Sequence, residues 1–273
     1  MNKRVGPYEI EQICPAVWAV DTDADESLYL VCGSERAYVI DTGSAAEPLM
    51  PLIRSLWDGP AELLLTHAHF DHMYRSDEFS SVSLLDAEIA AWAKTLGPIV
   101  WISSAASGKC PKRYPVKTWR ALRDADALDL GGKTLRVIAA RGHTPGSMIL
   151  ADEEDGLLFT GDAFGSGSFA WMWMPGCSCL SAYRDSLREL LVRLAPYRDF
   201  RMLGGHRRQG VPTQADPHAR PLTYATVADM EKLCGEILGG SLAPESEERN
   251  FSVKNYLYRY GDAAIVLTKE KIK

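Results

Sequence analysis

The sequence predicts an α/β (α+β) chain of two β-sheets, each covered by helices, within one domain spanning 1–273. Three observations predict it. Short segments rich in β-branched and aromatic residues recur between polar turns. Each half of the chain repeats one rhythm, strands first and then a helix. At 46% hydrophobic and 24% charged, the 273 residues can bury one sizeable core.

Residues 8–13, 17–21, 27–32 and 37–41 predict four closely spaced strands, an antiparallel meander at a sheet edge. Asp41-Thr42-Gly43 ends the last of them with turn chemistry. Residues 48–57 predict a helix, because Leu49, Leu52, Ile53 and Leu56 recur at helical spacing. Residues 61–65 predict a short buried strand that feeds into Thr66-His67, and 86–96 predict a helix. The stretch 97–125 contains Pro98, Pro111 and Pro115 and is expected to be a lid or insertion. It carries Lys109, Lys112, Arg113, Lys117, Arg120 and Arg123, read first as a solvated basic face and second as an anion-binding lid. Hairpins are predicted at 128–140, around Gly131-Gly132, and at 148–160, around Asp155-Gly156. Residues 181–194 form an amphipathic pattern with Leu187, Leu190, Leu191 and Leu194 on one face. A further helix at 222–238 and a hairpin at 256–267 close the chain.

The charge balance narrows the partners. A net charge of -6 disfavours a nucleic-acid backbone. Lys3 and Arg4 are followed by Pro7, Glu9 and Glu11 and not by an apolar run, so no signal peptide and no membrane partner are expected. Six scattered cysteines without an export signal predict reduced thiols and a cytoplasmic location. Cys177-Ser178-Cys179 is spaced too tightly for a structural zinc site.

Three of the six histidines fall within six positions, His67-Ala68-His69-Phe70-Asp71-His72. In an extended loop His67 and His69 point to one side, and Asp71 and His72 turn toward a neighbouring point. Imidazole and carboxylate suit zinc, and also iron or manganese. Four such groups this close suit two adjacent ions better than one. His143, Asp162 and His206 each follow an apolar run and are flanked by glycine, which lets backbone approach a crowded centre. A core would not gather imidazoles and carboxylates without a compensating cation. His218, after Asp216-Pro217, reads as an ordinary polar residue.

The set His67-Ala68-His69-Phe70-Asp71-His72, His143, Asp162 and His206 resembles the metallo-β-lactamase fold superfamily, from the Asp41-Thr42-Gly43 turn to Gly205-His206. The resemblance implies a four-layer αββα sandwich, two facing mixed sheets with helices outside and two divalent metal ions at one edge. It implies that His67, His69 and His143 hold the first metal, that Asp71, His72 and His206 hold the second, and that Asp162 bridges them. Zn(2+) is the first expectation, Fe or Mn the alternatives. An aspartate at 162 looks like the glyoxalase II, lactonase and phosphodiesterase branches, whereas the best-known zinc β-lactamases carry Cys or Ser there. Met73-Tyr74 stands where many relatives carry glycine.

The expected activity is therefore hydrolysis of a small ester, thioester or lactone by a metal-bridging hydroxide, with Asp71 also orienting it or shuttling a proton. Phosphodiester cleavage on the same dinuclear site is the sibling alternative. Iron-dependent redox chemistry and non-catalytic binding are the alternatives of other classes. The segment 164–180 is expected to be a substrate loop. Its aromatic, Met-rich start contains Phe164, Phe169, Trp171 and Trp173, and reads equally as pocket wall for a small-molecule substrate or as a homodimer contact. Tyr74, Tyr183 and Tyr224 are candidates for an oxyanion hydrogen bond, each also readable as core.

Overall fold

The computed structural model describes residues 3–92, 119–165, 169–174, 176–206, 220–250 and 252–273. The first sheet has eight strands in chain order: β1 (Lys3–Val5), β2 (Tyr8–Cys14), β3 (Val17–Asp21), β4 (Ser27–Cys32), β5 (Ala37–Ile40), β6 (Ala61–Leu64), β7 (Val82–Leu85) and β8 (Trp119–Leu122). β1 to β5 form an antiparallel meander. From β5 to β8 the pairing is parallel. Helices α1 (Met50–Leu56), α2 (Phe70–Met73) and α3 (Asp86–Trp92) lie in the connections between those parallel strands.

Side-chain alternation sorts this sheet into two faces. In β4, Leu28, Leu30 and Cys32 join the outer cluster with Leu52 and Ile53 of α1. Tyr29 and Val31 point the other way, into a cluster shared with the second sheet.

The second sheet is built from β9 (Ala127–Asp129), β10 (Thr134–Ala139), β11 (Met148–Asp152), β12 (Leu157–Gly161) and, beyond β13 (Ala170–Trp171), β14 (Arg201–Gly204). β14 runs parallel to β12, after a connection that contains β13 and α4 (Leu180–Leu194). Val137, Leu150, Phe159 and Leu203 face the first sheet. Ile138, Ile149, Leu158 and Met202 face Leu187 and Leu190 of α4, and Val227, Met230 and Leu233 of α5 (Tyr224–Leu238). The layer order is thus helix, sheet, sheet, helix, the architecture expected.

A third sheet, which the sequence pattern does not separate, completes the fold. It joins β13 to β17 (Ala263–Leu267), β16 (Val253–Tyr260) and β15 (Ser246–Asn250), in that order. Tyr258, Ile265 and Leu267 pack into the same cluster as α4 and α5. The C-terminal hairpin was legible, but β15 reads Ser-Glu-Glu-Arg-Asn and is an edge strand with no buried residue to betray it.

One boundary needs correction. Residues 119–122, placed within the lid at 97–125, form β8, the edge of the first sheet, where Leu122 is buried between the sheets. The rest of that segment up to 118, the end of the helix expected at 86–96, and His218 lie outside the described residues. Among the described residues no helix is long and apolar enough to cross a membrane.

Candidate metal centre

Of the seven sequence-selected ligands, His67, His69, His143, Asp162 and His206 follow β6, β10, β12 and β14, and Asp71 and His72 lie in the short helix α2 after β6. Asp41, just past β5, organises the first loop. It sits at φ +61°, a left-handed conformation costly for a side chain other than glycine. Its Oδ1 accepts the Thr66 backbone N–H at 2.7 Å, and its Oδ2 accepts the Thr66 hydroxyl at 2.8 Å and the His72 Nδ1–H at 2.9 Å. That aims His72 Nε2 into the site.

Two carbonyls do the same for the distal histidines. His143 Nδ1 faces the Trp171 carbonyl at 3.0 Å, and His206 Nδ1 faces that of Asp25 at 3.2 Å. Donating Nδ1–H there turns each Nε2 inward. His143 Nε2 then lies 2.9 Å from His69 Nδ1. His206 Nε2 lies 3.1 Å from Asp162 Oδ2, which is also 3.5 Å from His72 Nε2 and 3.8 Å from His143 Nε2.

Ligand atoms within 4.8 Å of one another form three overlapping groups: His67, His69 and His143; Asp71, His72 and His206; and His67, His72 and Asp162. Asp162 therefore meets one member of each triad. Among the described residues, the buried His67 Nε2, His69 Nε2, His72 Nε2 and Asp162 Oδ1 have no hydrogen-bond partner. Leaving such an atom unsatisfied costs about 1–3 kcal/mol, so several together are a cradle for cations. Backbone makes room for it: a Cβ on Gly205 would lie 2.5 Å from both Asp162 Oδ1 and His72 Cε1. The residues present fit two divalent ions.

Electrostatics divide the triads. Burial, reinforced by its histidine neighbours, drives His67 well below the ordinary imidazole range. Burial and His143 lower His69 to about 3, and burial lowers His143 as well. These are neutral imidazoles, the form a cation needs. Burial also opposes charge on His72 and His206. There the Asp162 and Asp71 carboxylates outweigh it, holding His72 well above its usual value and His206 up to about 9. Burial likewise opposes the charge on Asp162, but His206 and His72 hold its carboxyl well below the carboxylate range. The site is open on one side, with Asp71 and His206 about a third exposed at 36% and 32%, while His72 is fully buried.

A family model described as the metallo-beta-lactamase superfamily matches residues 22–206, which include every one of these ligands. The chain belongs to the metallo-beta-lactamase superfamily. That fold implies divalent metal ions. Among relatives, an acyl-coenzyme A thioesterase MBLAC2 of Gallus gallus is 32% identical over 60% of this chain and 66% of its own length, just under two-thirds. Its Homo sapiens counterpart is 31% identical over 60% and 67%. A hydroxyacylglutathione hydrolase of Ectopseudomonas mendocina is 29% identical over 59% of this chain and 52% of that one. A solved structure described as TTHA1623 in a di-iron-bound form is 28% identical, with TM-score 0.54 over 67% of this chain and 87% of that one. A metallo-beta-lactamase of Erythrobacter litoralis shares the fold at 17% identity, with TM-score 0.57 over 86% and 100%.

Within this metallo-beta-lactamase framework, three residues expected at the substrate need correction. Phe164 is buried in the cluster of α4 and the second sheet. Tyr183 is buried in the same cluster and donates its hydroxyl to the Ala163 carbonyl at 2.6 Å. Tyr74 is buried beside Phe70, ring centroids 5.2 Å apart, with the Arg75 guanidinium over its face. All three are buried among packed side chains. Tyr224 is also committed elsewhere, donating to the Leu191 carbonyl at 2.7 Å.

Phe169, Trp171 and Trp173 behave differently. Ala170 and Met172 point into the core, so the odd-numbered rings share the opposite face. Phe169 stacks on Trp171 at 5.8 Å, and Trp171 lies 5.7 Å from Trp173. Phe169 and Trp173 rest on Leu257, Ala264 and Val266 of the third sheet. The middle residue of this partly exposed aromatic shelf, Trp171, is the one whose carbonyl orients His143. Ser166, Gly167, Ser168 and Pro175 of the expected loop lie outside the described residues.

Sequence reasoning took Asp41 for a turn residue and passed over its role in aiming His72. A lone aspartate before Thr-Gly carries no local signal of a partner 31 residues away.

Proposed function

We propose that this chain is a dinuclear, zinc-loaded hydrolase of thioesters, acting on a small molecule in the cytoplasm. The observation that carries the proposal is the pair of ligand triads that both border Asp162. The relatives support the bond type, because the thioesterase and the hydroxyacylglutathione hydrolase are both named for an acyl group on a thiol carrier. Esters and lactones present the same acyl carbon and belong to the same reading.

When bound, two divalent ions supply a water acidic enough to exist as hydroxide near neutral pH and a Lewis acid for the acyl carbonyl. His67, His69 and His143 would hold one ion, Asp71, His72 and His206 the other, and Asp162 would lie between them. The carbonyls of Trp171 and Asp25 fix the tautomers of His143 and His206, so neither ring need reorient during turnover. Asp71 stands at the open rim, its Oδ2 3.7 Å from both His72 Nε2 and His206 Nε2. It would orient the attacking water and receive its proton at Oδ2. The shelf of Phe169, Trp171 and Trp173 would hold an apolar acyl group and keep bulk water off the scissile bond.

The test is a substrate panel on protein with measured metal content: an acyl-coenzyme A, an acylglutathione, a nitrophenyl ester, a lactone and bis-nitrophenyl phosphate. Saturable thiol release that disappears on chelation is expected. Protein carrying two ions that cleaves only the phosphodiester, or nothing, overturns the assignment. Elemental analysis decides between zinc and iron.

A further inference from the structure

We propose that Glu88, outside the ligand set, is the positioning residue that locks together the two loops forming the first triad. The inference rests on the ligand reading above and extends it. Glu88 lies in the first turn of α3 and is fully buried. Its Oε1 accepts the Ala68 backbone N–H at 2.8 Å. Its Oε2 accepts the Gly146 backbone N–H at 2.7 Å and the Thr144 hydroxyl at 2.8 Å. Ala68 stands between His67 and His69, and Thr144 follows His143. One carboxylate therefore ties the loop of two imidazoles to the loop of the third.

The chemistry of the clamp demands a carboxylate. These three partners are donors, and they fall on both oxygens. An amide of the same shape accepts on only one oxygen and would turn its NH2 toward a second donor. A buried carboxylate survives because charge-assisted hydrogen bonds replace its hydration. The His143 loop is itself stiffened before it reaches Glu88. The Thr144 N–H donates to Ser147 Oγ at 3.0 Å, and the two hydroxyls lie 2.8 Å apart. It also lies directly on α3: a Cβ on Gly146 would come within 2.3 Å of the Glu88 backbone nitrogen.

The second triad uses other supports. His72 hangs on Asp41 and His206 on the Asp25 carbonyl, neither of which touches this clamp. Loss of Glu88 should therefore weaken one metal site and spare the other, which a residue needed only for folding would not do.

The experiment is a competition titration of metal-free protein with zinc against a chromophoric chelator, with His69→Ala and His206→Ala assigning each binding event to its triad. Glu88→Gln is expected to keep the wild-type circular dichroism spectrum. It should weaken binding at the first triad by about 10- to 100-fold, the usual cost of losing a residue that orients a ligand, and leave the second unchanged. Wild-type affinity at both sites, or an equal loss at both, overturns the proposal. If Glu88→Gln does not fold, Thr144→Val decides, since it removes one hydroxyl from the clamp. A smaller loss confined to the first triad supports the clamp, and unchanged affinity overturns it. Wild-type protein that binds no zinc overturns the ligand reading itself, and the clamp falls with it.

Discussion

Asp41 Oδ2 and His72 Nδ1 lie 2.9 Å apart, and both side chains are buried. The same carboxylate binds the backbone and hydroxyl of Thr66, so one residue at the end of β5 fixes both the start of the histidine loop and the ring at its end. Asp41→Asn keeps the shape but removes an acceptor. Zinc affinity at the second triad should fall about 10- to 100-fold. Leaving a buried donor unpaired should cost about 1–3 kcal/mol of stability. Zinc competition and urea denaturation measure the two, and a variant matching wild type in both would remove Asp41 from the site's support.

Asp162→Ala tests the bridging position. Asp162 Oδ2 approaches His72, His143 and His206, drawn from both triads. Its removal should abolish turnover and reduce bound metal from two equivalents to one. Full turnover with two equivalents bound would show that the carboxylate bridges nothing.

Much of this was legible because the sequence pattern and the three-dimensional constraint share a period. In β4 the run of apolar and aromatic residues between polar turns marks the strand, and the period of two then divides Leu28 and Leu30 from Tyr29 and Val31. The ligands were legible because imidazoles and carboxylates rarely cluster without a cation. What was hidden lacked a local signature. β15 is polar throughout, and β7 is only four residues, Val82-Ser83-Leu84-Leu85, all of them buried. Tyr183 and Phe164 looked like pocket residues by composition, yet both are buried in the core shared by the second sheet, α4 and α5, which one-dimensional spacing does not encode. Asp41 and Glu88 act over 31 and 56 residues of chain, beyond any window of periodicity.

Gly205→Ala probes the floor of the site. The added methyl would sit 2.5 Å from Asp162 Oδ1 and His72 Cε1, with no flexible chain end to yield. The effect should be local: metal affinity and turnover drop by about tenfold or more, the scale of misplaced ligands. The far-UV spectrum should stay that of wild type. Undiminished zinc binding would mean that the His206 loop moves freely enough to absorb the methyl.

Metal removal should register as lost stability. Ions that bind only the folded chain stabilise it by RT ln(1 + [L]/Kd), about 2.7 kcal/mol at a hundredfold excess over Kd. For a chain of this size chelation should then lower Tm by roughly 5–10 °C. Calorimetry with and without chelator, followed by zinc restoration, gives the number. An unchanged Tm would mean that the site as folded holds no ion tightly.

The aromatic shelf separates two roles that sequence left open. If Phe169, Trp171 and Trp173 hold an acyl chain, truncating the outermost ring should penalise large acyl groups and spare small ones. Trp173 rests on Leu257, Ala264 and Val266 of the third sheet, and Trp173→Ala should leave acetyl thioester hydrolysis near wild type. For an octanoyl thioester, kcat/KM should fall about tenfold, on the scale of discrimination by an apolar pocket. The loss should sit mainly in KM, because the shelf grips substrate and transition state alike. An equal fall for both acyl groups would argue against the acyl site. If the wild-type protein also sediments as a dimer that Trp173→Ala dissociates, the shelf is a subunit contact, and the acyl group must be sought on another side of the metals.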